Sequence, residues 1–159
     1  MTTSNTTKPL AIILGGSTGI GKETAKRLIQ RGTDLILLSR NVDNLESTKT
    51  ELKSNGIVET VSVDLSDINQ VDGFIARIKF EERPISFLVN AAGSFSPKPF
   101  LQHKRADYDK YMDVNRGFFF ITQAVAENMK HHGGGSIVNI GSMWAKQSIL
   151  ATPSSAYSM

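Results

Sequence analysis

The chain of 159 residues is long enough for one domain with one buried core, and its 40% hydrophobic and 21% charged content is ordinary for a globular protein. A net charge of +3, spread along the chain, argues against nucleic acid as a partner; the one basic cluster, His103-Lys104-Arg105, reads as a solvated loop. The sequence holds no cysteine, which excludes disulfides and thiolate metal sites and makes the cytoplasm the expected location.

Residues 1–8 are polar and rich in Thr, Ser and Asn. They lack the apolar core of a signal peptide and read as a flexible tail. No apolar run approaches the roughly 18 residues of a membrane span, so no membrane partner is expected. Leu10–Leu14 is a buried strand ending in glycines. Ile20, Ala25, Leu28 and Ile29 recur at helical spacing over Gly19–Arg31, and Gly32 stands where a helix C-cap would be. Asp34–Ser39 is a second strand. Val42–Ser54 is a polar helix closed by Asn55-Gly56, and Ile57–Asp64 a third strand. Asp67–Phe80 is a third helix, with Ser66 or Asp67 as its N-cap. After Pro84 come a fourth strand, Ile85–Asn90, and a long helix, Ala106–Lys130. Gly133–Gly135 breaks the chain before a fifth strand, Ser136–Ile140. Strands alternating with helices predict an α/β fold, a doubly wound parallel sheet of Rossmann-like type, in one domain over 9–159. Ligands of such sheets sit beyond the C-terminal strand ends, where strand order reverses.

Several motifs fall at those ends. Gly15-Gly16-Ser17-Thr18-Gly19-Ile20-Gly21 joins the first strand to the first helix. Glycine allows a tight turn and close approach to a pyrophosphate, and the helix N-terminus offers unpaired N–H groups to the anion. The spacing is G-x-x-x-G-x-G, not the standard G-x-G-x-x-G, and by itself it also describes a tight connection with no ligand. The second strand ends in Ser39-Arg40-Asn41. No acid stands there to grip a ribose 2′-hydroxyl; Arg40 is either a solvated loop residue or the partner of a 2′-phosphate.

The glycine turn resembles the cofactor turn of the short-chain dehydrogenase/reductase family, T-G-x-x-x-G-x-G, with Leu14 standing where that family has Thr. The resemblance runs from about Pro9 to Met159 and implies NADP(H) as cofactor, with no metal. It implies that Asp64, followed by Leu65, binds the adenine edge; on the residues alone Asp64 serves equally as a helix N-cap. Asn90-Ala91-Ala92-Gly93 matches the family's N-A/N-A-G motif. Its small residues leave room for the cofactor's ribose, and Asn90 braces neighbouring strands.

The long helix carries Tyr108, Tyr111, Met112, Phe118, Phe119, Thr122, Val125 and Met129 on one stripe, with Asn115 inside it. A buried amide needs a partner. That partner is the backbone, or, as the resemblance implies for Asp113-Val114-Asn115, Asn115 is the active-site Asn. There it holds a water through its main chain where the helix distorts, eased by Gly117. Ser142 resembles the Ser that polarises the substrate carbonyl, and Tyr157 the Tyr of Y-x-x-x-K, the general acid. A free Tyr titrates near about 10, and the family's Lys, four residues on, lowers that value. That position falls two residues past Met159.

The expectation is therefore the N-terminal part of an NADP(H)-dependent oxidoreductase acting on a small-molecule carbonyl or alcohol, its sheet truncated after the fifth strand and the 159-residue chain itself inactive. The other reading is a truncated chain that binds nucleotide without catalysis or serves only by association. Family members use the long helix between subunits, so Phe118-Phe119-Phe120 suggests a homo-oligomer, dimer or tetramer. Phe95, Phe100, Met143, Trp144 and Ile149 line an apolar substrate mouth, or serve core packing or a subunit contact.

Overall fold

A computed structural model describes residues 8–145, 156 and 157. The expected tail lies almost wholly outside the described residues, as does Ile149. The elements are β1 (Leu10–Leu14), α1 (Gly19–Gln30), β2 (Asp34–Ser39), α2 (Val42–Leu52), β3 (Val58–Ser62), α3 (Ile68–Lys79), β4 (Ile85–Asn90), α4 (Arg105–His131) and β5 (Ser136–Asn139). Short 3-10 turns occupy Phe100–Gln102 and Met143–Ala145.

The five strands form one parallel sheet in the order β3-β2-β1-β4-β5. The chain steps outward from β1 to β3 and then returns to the other side of β1. Strand order therefore reverses between β1 and β4, where Leu14 pairs with both Leu38 and Asn90. Helices cover both faces. Ile12, Leu14, Ile36 and Leu88 pack on one side with Val71, Phe74, Ile121 and Val125 of α3 and α4. Ala11, Ile13, Leu35 and Leu37 pack on the other with Ala25, Ile29, Leu45 and Leu52 of α1 and α2. β1 is buried on both faces, which is why its five residues are uninterruptedly apolar. β5 pairs only with β4 among the described residues, and its side chains are exposed.

Local chemistry sets the helix ends. Gly32 adopts φ +83°, and the N–H groups of Gly32 and Thr33 donate to the carbonyls of Ile29 and Leu28, the paired bonds of a Schellman motif. Asn41 caps α2 by accepting from Asn44 N–H. Asp67, one of the two expected caps, accepts from the N–H groups of Asn69 and Gln70 at the start of α3.

The stripe expected on α4 needs correction. Tyr108 and Phe119 are 40% and 64% exposed, and Asn115 is exposed as well. Tyr111, Val125 and Met129 of that stripe are buried, and the rest of the buried face is Gly117, Ile121, Ala124 and Asn128. Small residues decide it: a Cβ on Gly117 would collide with the Leu65 carbonyl oxygen, so only glycine lets α4 lie that close. α4 is also an α-helix throughout, without the distortion expected near Asn115. Asn128, unforeseen in the sequence, accepts from Ile85 N–H and donates to the Glu81 carbonyl, tying α4 to the start of β4. Among the described residues no helix is long and apolar enough to cross a membrane.

Candidate functional site

The turn after β1 is fastened on three sides. Gly15 and Gly16 N–H both donate to the Leu38 carbonyl, at 2.8 and 3.1 Å. Gly15 has φ +82°, and a Cβ there would stand 2.5 Å from Ala92 N. The end of β1 thus passes directly against the small residues ending β4. A Cβ on Gly21 would meet the Gly15 carbonyl oxygen. Gly15, Gly16 and Gly21 therefore serve packing of the chain on itself, and Gly15 lines the cavity as well. Gly19, at φ +54° with nothing within 4 Å, is the one left open. Thr48 of α2 reaches under the turn and donates to the Ser17 carbonyl.

α1 has no side-chain cap, and among the described residues the N–H groups of Thr18, Gly19, Ile20 and Gly21 have no partner. Unpaired donors at the positive end of a helix, beside an open glycine, make a cradle that fits an oxyanion such as a diphosphate.

That turn forms one wall of a cavity of about 340 Å³, within the usual range for small-molecule sites of about 300–1,000 Å³. Gly15, Ser17, Thr18, Gly19 and Ile20 line it from β1 and α1, and Arg40 from the end of β2. Asp64 and Leu65 line it from beyond β3, and Ala91, Ala92 and Gly93 from beyond β4. Gly21 and Asn90 lie outside it. Asn90 Nδ2 donates to Thr122 Oγ1 and Asn139 Oδ1, at 3.0 and 2.7 Å, bracing α4 and β5. Two lining residues of α4, Lys110 and Val114, were not foreseen. Their spacing of four puts them on one helical face, but only the sheet order shows that this face borders the cavity.

Asp64 does not cap α3; Asp67 does. The cause is local: Asp64 Oδ1 is committed to Ser66, accepting from its N–H at 2.9 Å and its hydroxyl at 2.7 Å. Oδ2 lies 3.9 Å from Arg40 Nη1. Burial pushes the Asp64 carboxyl up, but the bonds from Ser66 and the charges of Arg40 and Lys110 outweigh it and hold the group below its ordinary range.

A second cavity of about 210 Å³ adjoins the first and shares Ala92, Gly93, Ser94 and Val114 with it. Asn115, Ser142 and Tyr157 all line it. Ser142 Oγ accepts from Trp144 N–H at 3.2 Å. The Tyr157 ring stands edge-on to Phe95, Tyr111 and Trp144, with centroids 5.0, 5.9 and 5.9 Å away. Tyr111 is itself pinned: its hydroxyl accepts from Ser96 N–H and donates to the Ser96 carbonyl. Among the described residues no charged side chain lines this second cavity.

The family model for short chain dehydrogenase matches residues 9–158. Gluconate 5-dehydrogenase of Gluconobacter oxydans is 37% identical over 145 residues, which cover 90% of this chain and 56% of that protein. Retinol dehydrogenase 11 of Mus musculus is 36% identical over 148 residues, covering 89% of this chain and 46% of that protein. The solved structure of a short-chain dehydrogenase from Sphingobium yanoikuyae in complex with NADPH superposes with a TM-score of 0.86 at 28% identity, covering 94% of this chain and 59% of that one. The chain spans about half the length of the curated relatives it matches.

Proposed function

The chain belongs to the short-chain dehydrogenase/reductase family of nicotinamide-dependent oxidoreductases, and on that premise we propose that it binds NADP(H) and carries part of the active site of a carbonyl reductase or alcohol dehydrogenase. The observation that carries this reading is the adjoining pair of cavities at the β1–β4 switch point. One cavity offers unpaired N–H groups and Arg40, the other gathers Asn115, Ser142 and Tyr157.

The N–H groups at the start of α1 hold the diphosphate, Arg40 takes the 2′-phosphate, and Asp64 meets the adenine edge. Ala91, Ala92 and Gly93 let the ribose lie against the backbone. When bound, the nicotinamide supplies or accepts hydride. Ser142 Oγ donates a hydrogen bond to the substrate carbonyl oxygen, and the Tyr157 hydroxyl gives that oxygen a proton. α4 is regular at Asn115, so the part left to that residue is for its side chain to hold a water at the wall of the same cavity. The aromatic side chains of Phe95, Tyr111 and Trp144 around Tyr157 favour apolar carbonyl substrates.

A second reading, nucleotide binding without turnover by this chain, is favoured by one observation. No cation lines the second cavity among the described residues to offset the negative charge left on Tyr157 after proton transfer. NADPH oxidation in the presence of ketones, aldehydes and 3-oxoacyl thioesters separates the two. Turnover by the 159-residue chain at the level of its relatives removes the second reading; binding of NADPH without turnover supports it.

A homo-oligomer is part of the same proposal. Phe119 and Phe120 are exposed on α4, with ring centroids 5.3 Å apart, whereas Phe118 packs on the core and is no longer a candidate for that face.

A further inference from the structure

Only three charged side chains line the larger cavity among the described residues: Arg40 after β2, Asp64 after β3 and Lys110 on α4. They come from three walls of one space. Arg40 leans on Asp64, with Nη1 3.9 Å from Oδ2, while its side chain stays 62% exposed. Lys110 makes no ion pair within 4.0 Å among the described residues. Its helical face is nevertheless a cavity wall, because Val114, one turn on, lines both cavities. Ser66 occupies Asp64 Oδ1, so Oδ2 is the oxygen left to Arg40, while Lys110 stands on another wall of the same cavity, more than 4.0 Å from the carboxylate.

This arrangement sets a competition. A carboxylate close to Arg40 holds the guanidinium back from an incoming phosphate and repels the phosphate as well. A second cation on the same carboxylate removes both obstacles.

We propose that Lys110 is a specificity-determining residue of the nucleotide site: from α4 it neutralises Asp64, which frees Arg40 to pair with a 2′-phosphate. The inference rests on the reading of Arg40 as the 2′-phosphate partner. Lys110 here is a positioning residue that acts through Asp64, and the cavity's surplus of one positive charge suits the more highly charged of the two nicotinamide dinucleotides.

Fluorescence titration with NADPH and with NADH tests it on the wild type, Lys110→Met, Lys110→Arg and the double variant Lys110→Met/Asp64→Asn. Lys110→Met is expected to weaken NADPH about tenfold and to leave NADH within about twofold. Lys110→Arg is expected to keep the preference. The double variant is expected to recover the NADPH-to-NADH ratio, since the carboxylate that needed neutralising is gone and any loss at the adenine edge falls on both nucleotides alike. An unchanged NADPH-to-NADH ratio in Lys110→Met overturns the inference while the reading of Arg40 stands. A lowered NADPH-to-NADH ratio in Lys110→Met that stays lowered in the double variant also overturns it, because Lys110 then acts on the phosphate without Asp64. A wild type that prefers NADH overturns the reading of Arg40, and the inference falls with it.

Discussion

Thr48 Oγ1 donates to the Ser17 carbonyl at 3.1 Å, and both residues are buried, at 1% and 4% exposure. The peptide plane between Ser17 and Thr18 is trans, so its C=O and N–H point in opposite directions. Holding the carbonyl toward α2 turns the Thr18 N–H toward the cavity that Thr18 lines. Thr48→Val keeps the shape and removes the donor. It is expected to cost about 1–3 kcal/mol of stability, the range for a buried acceptor left unpaired. It is also expected to weaken NADPH and NADH by the same factor, because both carry the diphosphate. Thr48→Ser is expected to restore both. Thermal melts and nucleotide titrations on the three proteins check this.

Two glycines of the turn separate packing from ligand access. Gly15→Ala places a Cβ 2.5 Å from Ala92 N at φ +82°, and the expected outcome is loss of the folded state. Gly19→Ala meets no atom within 4 Å and carries only the conformational penalty of φ +54°, about 1–2 kcal/mol. It is expected to remain folded, with a lower melting temperature, and to bind nucleotide poorly because the methyl group sits at the cradle. Circular dichroism melts and NADPH titration distinguish the two variants.

The fold was largely legible in the sequence where burial is symmetric. β1, β2 and β4 have the expected bounds: β1 reads as an unbroken apolar run, and β2 and β4 are apolar runs marked off by polar residues. β3 is shorter than expected: Ile57, Val63 and Asp64 fall outside its ladder, because the segment lies near the sheet edge with polar residues interleaved. On α4 the large aromatics Tyr108, Phe119 and Phe120 carry the hydrophobic signal yet lie exposed. Gly117 and Ala124, which set the approach distance, carry no hydrophobic signal strong enough to compete. Lys110 was invisible for a related reason: a single lysine on a helix has no pattern, and its neighbours come from sheet topology alone.

Acid is expected to loosen the connection between α3 and β4. Arg83 Nη2 lies 2.7 Å from Glu81 and 2.8 Å from Glu59, and Arg77 also pairs with Glu59. The hydrogen bond from Arg83 chiefly lowers the Glu81 carboxyl below its ordinary value, against burial, which raises it. A carboxyl depressed in the folded state stabilises the fold above its unfolded value of about 4.3, and that contribution is lost as pH falls through the folded value. Urea midpoints are therefore expected to drop between pH 5 and pH 3, as order-of-magnitude bounds on that window. Glu81→Gln is expected to flatten part of the drop.

Phe119 and Phe120 give the self-association proposal a direct check. Phe119→Ser/Phe120→Ser leaves the core side of α4 untouched, since Ile121, Val125 and Met129 carry it. Sedimentation is expected to show an oligomer for the wild-type chain at micromolar concentration and a monomer for the double variant. A wild-type monomer contradicts the proposal.

Nucleotide binding at the β1–β4 switch point, with Arg40 on the 2′-phosphate, is tested most directly by paired calorimetric titrations of NADPH and NADH. NADPH is expected to bind at least about tenfold tighter, a difference of about 1.4 kcal/mol, and Arg40→Ala to remove that preference. NADH affinity equal to or greater than NADPH affinity, or no binding of either, contradicts it.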